Sequence, residues 1–138
     1  MQAIAEGCPN TPVTVKCRIG VDDVDSYSAL CEFISVVAQN SPTKHFIIHA
    51  RKCLLKGLSP AQNRTVPPLR YSWVYALRRD FPHLQFSLNG GIQGPEEAKQ
   101  VLAHTLADTQ VPTVPNVLVL ANMSTRSHRF FTFFNYKI

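Results

Sequence analysis

Two rhythms of apolar and polar positions alternate along this chain. Strict alternation governs Pro12-Val-Thr-Val-Lys-Cys-Arg-Ile19, with Val13, Val15 and Cys17 on one face and Thr14, Lys16 and Arg18 on the other. That pattern predicts a strand carrying two cations on a single side. Gly20 to Asp25 reads as an acidic turn, and Asp25 or Ser26 can cap the helix that follows. Leu30, Phe33, Ile34 and Val37 recur at helical spacing, and their expected role is core packing. Asn40-Ser-Pro-Thr43 breaks that helix, and a second strand runs from His45 to Ala50. Its short apolar run, Phe46-Ile-Ile48, ends abruptly in His49, Arg51 and Lys52, as a buried strand does where it opens onto a functional surface.

The irregular stretch from Lys52 to Leu69 holds Gly57, Pro60, Pro67 and Pro68. A loop this long in a compact domain is usually functional, and Leu54, Leu55 and Leu58 are expected to pin it to the body. A helix from about Tyr71 to Asp80, with Val74 and Leu77 inward, stops at Phe81-Pro82. The third strand, Leu84 to Leu88, runs into Asn89-Gly90-Gly91. Paired glycines let backbone amides approach a ligand closely, a common phosphate cradle, although Asn-Gly also makes ordinary turns. Pro95-Glu96-Glu97 then opens a helix reaching about His104, and Val114 to Leu120 reads as a fourth strand. Strand starts recur about every 30 to 40 residues, each earlier one followed by a helix. This is the β/α unit of a parallel sheet, so the fold class is α/β, either a half barrel or a small doubly wound sheet. Residues 1–121 are expected to form this domain, and residues 122–138 a divergent tail that carries no site.

Charge sharpens the picture. No Asp or Glu occurs from Phe33 to Arg79, while Lys44, Arg51, Lys52, Lys56, Arg64, Arg70, Arg78 and Arg79 fall within that span beside His45 and His49. A basic segment without compensating acid is an electrostatic footprint for a polyanion, most often nucleic acid; the plainer alternative is a solvated basic face. Cys8, Cys17, Cys31 and Cys53 show no metal-ligand spacing, and Cys17 and Cys31 fit apolar patterns as small core residues. No metal and no membrane are expected as partners, and an intracellular, cytoplasmic setting is the default.

The segments Pro12-Val-Thr-Val-Lys-Cys-Arg-Ile-Gly-Val-Asp-Asp23, Phe46-Ile-Ile-His-Ala-Arg-Lys52, Gly57-Leu-Ser-Pro60, Asn63-Arg64, Pro67-Pro-Leu69 and Leu88-Asn-Gly-Gly-Ile92 together resemble the tRNA-dihydrouridine synthases, most nearly the DusA type. The resemblance runs in register from about Pro12 to Ala98. It implies part of a TIM (β/α)8 barrel, about four β/α units of it, carrying FMN at its C-terminal face. The implied reaction is NADPH-dependent reduction of a tRNA uridine to 5,6-dihydrouridine, with the base flipped into the pocket. By motif, Lys16 resembles the lysine that contacts the flavin ring, and His49 the flavin-contacting histidine of the His-Ala-Arg motif. Asn89, Gly90 and Gly91 resemble the loop holding the ribityl phosphate. Arg64 resembles a tRNA-contacting position, with Arg51 and Lys52 its neighbours in the RNA groove.

The family's general acid is a cysteine in a segment upstream of the Val-Lys-x-Arg strand, and that segment is not found here. Gly7-Cys8-Pro9 mimics its motif but stands too close to Pro12, so Cys8 is read as coincidental and no catalytic residue is assigned. Leu120-Ala-Asn122 also stands where the family has Gly-Arg. The expectation is therefore a fragment of a synthase, with a non-catalytic RNA-binding remnant as the alternative.

Overall fold

The computed structural model describes residues 1–107, 117–125 and 128–134, with side chains described through residue 103. A short helix, α1 (Gln2–Gly7), precedes β1 (Thr14–Arg18) and α2 (Tyr27–Gln39). Then come β2 (His45–His49), a single 3-10 turn at Gln62–Arg64, α3 (Tyr71–Asp80), β3 (Gln85–Asn89) and α4 (Pro95–Ala107). Strand β4 (Val117–Thr125) and strand β5 (His128–Phe134) follow. Of the strand expected over 114–120, residues 114–116 lie outside the described residues.

All five strands form one sheet in the order β1-β2-β3-β4-β5. The first four are parallel neighbours in chain order, and β5 pairs antiparallel to β4. That order separates the two architectures left open by the pattern. A doubly wound sheet reverses its strand order at a switch point, whereas consecutive units of a barrel never do. No reversal occurs among the described strands, and the chain is a partial (β/α)8 barrel.

Alternation decides what each face of the sheet does. Phe46, Ile48, Phe86 and Leu88 point toward the helices and are fully buried, with Val15 and Cys17 packed against the same core. Phe46 and Phe86 stack with ring centres 6.0 Å apart, and burying a ring of this kind contributes on the order of 2–3 kcal/mol. Cys17 behaves as a small core residue; burial pushes its thiol up to about 11, so it stays protonated. From the helices, Leu30, Ile34, Val74 and Leu77 complete this layer, as their spacing predicts. Ser26 caps α2, its Oγ accepting from the Ala29 N–H at 3.2 Å.

Two apolar residues depart from expectation. Phe33 is 43% exposed, because it stands at the edge of the α2 stripe over a groove that also involves Val21, Val24 and Cys53. Leu55 is 70% exposed and does not pin the loop, which is ordered by polar contacts instead.

Candidate functional site

The opposite face of β1, β2 and β3 is polar apart from Ile47. In the pleat, Lys16 stands level with Ile47 and Ser87, and at the carboxyl end Arg18 stands level with His49 and Asn89. Parallel register thus sets Arg18, His49 and Asn89 in one lateral row at the end from which the β-to-α loops emerge. A cavity of about 630 Å³ opens there, within the usual range for small-molecule and cofactor sites. It is lined by Lys16, His49, Asn89, Gly90, Gly91 and Arg64 among others, so six of the residues singled out in the sequence converge on one space.

Turn chemistry brings the glycines in. Gly90 and Gly91 have φ of +108° and +77°, which L side chains rarely adopt. A Cβ on Gly90 would stand 3.2 Å from the His49 ring, and one on Gly91 would stand 2.5 Å from a Leu69 methyl. The Tyr71 hydroxyl donates to the Gly90 carbonyl at 2.6 Å, and burial pushes that phenol up to about 12, so it remains a donor. On the neighbouring turn, the Ala50 N–H donates to the Asn89 carbonyl and the Arg70 N–H to the Ala50 carbonyl.

His49 is 9% exposed, and its Nδ1 has no hydrogen-bond partner among the described residues. A buried polar atom without a partner is rare, and in a cavity wall it marks a place for a ligand atom. Burial and then the positive charges of Arg18, Lys16, Arg51 and Arg64 hold its pKa down at about 4, so the ring is neutral at pH 7. Lys16 is lowered as well, first by desolvation and then by Arg18. The cavity-lining residues include no acid, so the site suits an anionic or electron-rich ligand.

The His49 shift has a consequence for stability. Unfolded histidine titrates near 6.5, so between about 6.5 and 4 the unfolded chain binds a proton that the folded chain refuses. Stability is therefore expected to fall as pH drops through that window, and to be untouched by this group above it. Urea unfolding of wild type and His49→Gln at pH 7 and pH 5 checks this. The wild type should lose more stability than the variant, and equal losses would remove His49 from the account.

The three basic residues assigned to RNA have different surroundings. Arg64 is exposed at the end of the 3-10 turn; its backbone N–H donates to the Ala61 carbonyl at 3.0 Å, while its guanidinium has no hydrogen-bond partner among the described residues. Arg51 donates through Nη1 to the Pro67 carbonyl. Lys52 pairs with Asp25 at 2.9 Å, and Arg70 pairs with the same carboxylate at 2.7 Å while its guanidinium lies over Trp73. Hydrogen bonding from Lys52, together with the nearby Arg70, holds Asp25 below the usual carboxylate range. Asp80 likewise binds Arg79. The acid-free run in the sequence is thus partly neutralised in space by acids from outside it.

The chain matches the model of the family described as dihydrouridine synthase over residues 2–111. It belongs to that family. Among relatives, the tRNA-dihydrouridine(20/20a) synthase of Salmonella typhi is 60% identical over 93 residues, which are 67% of this chain and 28% of that protein. The protein of the same name from Escherichia coli strain K12 is also 60% identical over 93 residues, 67% of this chain and 27% of that protein. That of Pasteurella multocida is 58% identical over 93 residues. The chain therefore spans about 28% of the length of the curated relatives it matches.

Two dihydrouridine-synthase residues received no role from the sequence, yet they build the wall of the cavity. Arg18 Nη1 donates to the carbonyls of Lys52 and Asn63 at 3.0 and 2.8 Å, tying the start of the loop to its 3-10 turn. Asn63 is buried, and its amide binds both the N–H and the carbonyl of Leu54 at 2.8 Å. The signal for Arg18 was its place beside Lys16 on one strand face. Nothing local distinguishes Asn63 from a surface asparagine.

Proposed function

We propose that this chain supplies part of the flavin site and RNA-binding rim of a tRNA-dihydrouridine synthase, which reduces a tRNA uridine to 5,6-dihydrouridine. The observation that carries this reading is the convergence of Lys16, His49, Asn89, Gly90, Gly91 and Arg64 on one acid-free cavity in a chain of this family.

FMN fits the residues present: an unpartnered buried Nδ1, a glycine turn closed to any side chain, and cations without acids. When bound, FMN would supply hydride-transfer chemistry between NADPH and the uracil ring. Lys16 would offset negative charge on the flavin ring. Neutral His49 would offer Nδ1 for one hydrogen bond without changing its charge. Backbone amides at Gly90 and Gly91 would face the phosphate, and Asn89 would fix the start of that turn. Arg64 would bind an RNA phosphate. Arg51 and Lys52 are assigned smaller shares of RNA binding, because Arg51 is held by Pro67 and Lys52 by Asp25.

The test uses the protein as isolated from its source. FMN is expected to copurify, visible as flavin absorbance, and Lys16→Ala and His49→Ala should each lower the bound fraction. Unchanged flavin content in both variants would sink the flavin assignment. Arg64→Ala should weaken tRNA binding and reduce the slope of log affinity against log salt by about 1, as expected for one lost phosphate contact. Loss of flavin with the salt slope intact would instead place Arg64 in the cofactor site.

A further inference from the structure

Leu55 is the most exposed large apolar residue among those described, at 70%, yet it stands on the rim of the cavity. A lone exposed leucine on a surface needs no explanation. This one differs in how rigidly its backbone is held. Its N–H donates to the Asp22 carboxylate at 2.8 Å. Asp22 is the one described non-glycine residue with positive φ, at 47°, and its own N–H donates to the Cys53 carbonyl at 2.8 Å. Holding aspartate in that conformation costs about 1 kcal/mol or more. One residue earlier, both backbone polar groups of Leu54 are held by Asn63. Two residues later, Gly57 takes a φ of +86°, and a Cβ there would meet open space.

Four polar contacts and a strained turn therefore stiffen the base of a side chain that is itself left in water. Such stiffness adds nothing to the burial of Leu55. It does lower the entropy that must be lost when Leu55 meets a flat apolar partner. The surroundings identify that partner. Lys56 follows directly, Arg64 shares the cavity wall, and no Asp or Glu lines the cavity. The one carboxylate at its base, that of Asp22, is taken up by the Leu55 N–H, so an apolar tip with Lys56 next in the chain and Arg64 on the same cavity wall suits the face of a nucleobase.

We propose that Leu55 is a wedge, which packs against the RNA bases neighbouring the uridine and fills the place in the stack that the uridine leaves on entering the cavity. Asp22 and Asn63 are its positioning residues. The inference rests on the proposed RNA function and adds the element that opens the stack. Opening a stack costs a few kcal/mol, and an apolar side chain in the vacated place offsets part of that cost.

The test measures 2-aminopurine fluorescence in an RNA hairpin whose loop carries uridine beside the probe, at saturating full-length protein. Wild type should raise the fluorescence as the probe unstacks. Leu55→Ala should lose most of that rise, and Leu55→Met, which restores apolar bulk, should recover it. Because Leu55 is exposed, the alanine variant is expected to keep the wild-type circular dichroism spectrum. An equal rise with Leu55→Ala at saturation, or no rise with bound wild type, overturns the wedge while leaving RNA binding intact. A hairpin and a tRNA that both fail to bind wild type overturn the RNA reading and the wedge with it.

Discussion

Gly91→Val is expected to destabilise the protein by about 3 kcal/mol, from left-handed backbone strain together with overpacking. Two independent features add here. The φ of +77° excludes a β-branched side chain on backbone grounds. The new Cβ would also press on Leu69 and on the Tyr71 hydroxyl, only 3.0 Å away. Leu69 can turn aside, but Tyr71 is held by its bond to the Gly90 carbonyl. The strain therefore passes into the turn that closes the cavity. Urea denaturation measures this directly. A midpoint equal to that of wild type would mean that the turn relaxes freely, and the account of a closed glycine turn would be wrong.

Asn63→Ala is expected to cost about 2–3 kcal/mol, because truncation leaves buried backbone groups without partners. The Leu54 N–H and carbonyl lose their amide partner, while Arg18 keeps its bond to the backbone carbonyl of residue 63. Damage should therefore stay in the loop. Hydrogen exchange is expected to accelerate at the Leu54 amide and to stay slow at Ile48 and Leu88 in the strands. Uniform acceleration across the sheet would show instead that Asn63 supports the whole fold.

Much of this architecture is written in short-range pattern. Alternation in residues 13–18 assigned the faces of β1 correctly, because one face of a half-buried strand must be apolar. Val74 and Leu77 were legible for the same reason on α3. Glycine pairs and strand ends marked where a cavity opens, since both reflect local backbone demands. What was illegible depends on distant partners. Asp25 neutralises Lys52 and Arg70 across separations of 27 and 45 residues, so no local charge count could find it. Leu55 looked like an anchor because apolar residues in a loop usually are; only the polar frame around it shows that the loop is held without it.

The lateral row of Arg18, His49 and Asn89 also says where this chain tolerates change. The cavity is shaped at one end of the sheet, by side chains of β1, β2 and β3 and by the turns after β2 and β3. The segments that lead back into β2 and β3, residues 40–44 and 81–84, enter at the other end, and the Pro42 and His83 side chains there are exposed. A peptide tag or fluorophore placed beside Pro42 therefore reports on the molecule without touching its site, whereas the same insertion between residues 50 and 70 removes a wall. In lineages of this fold, length variation should collect around residues 40–44 and 81–84 and be purged from residues 50–70.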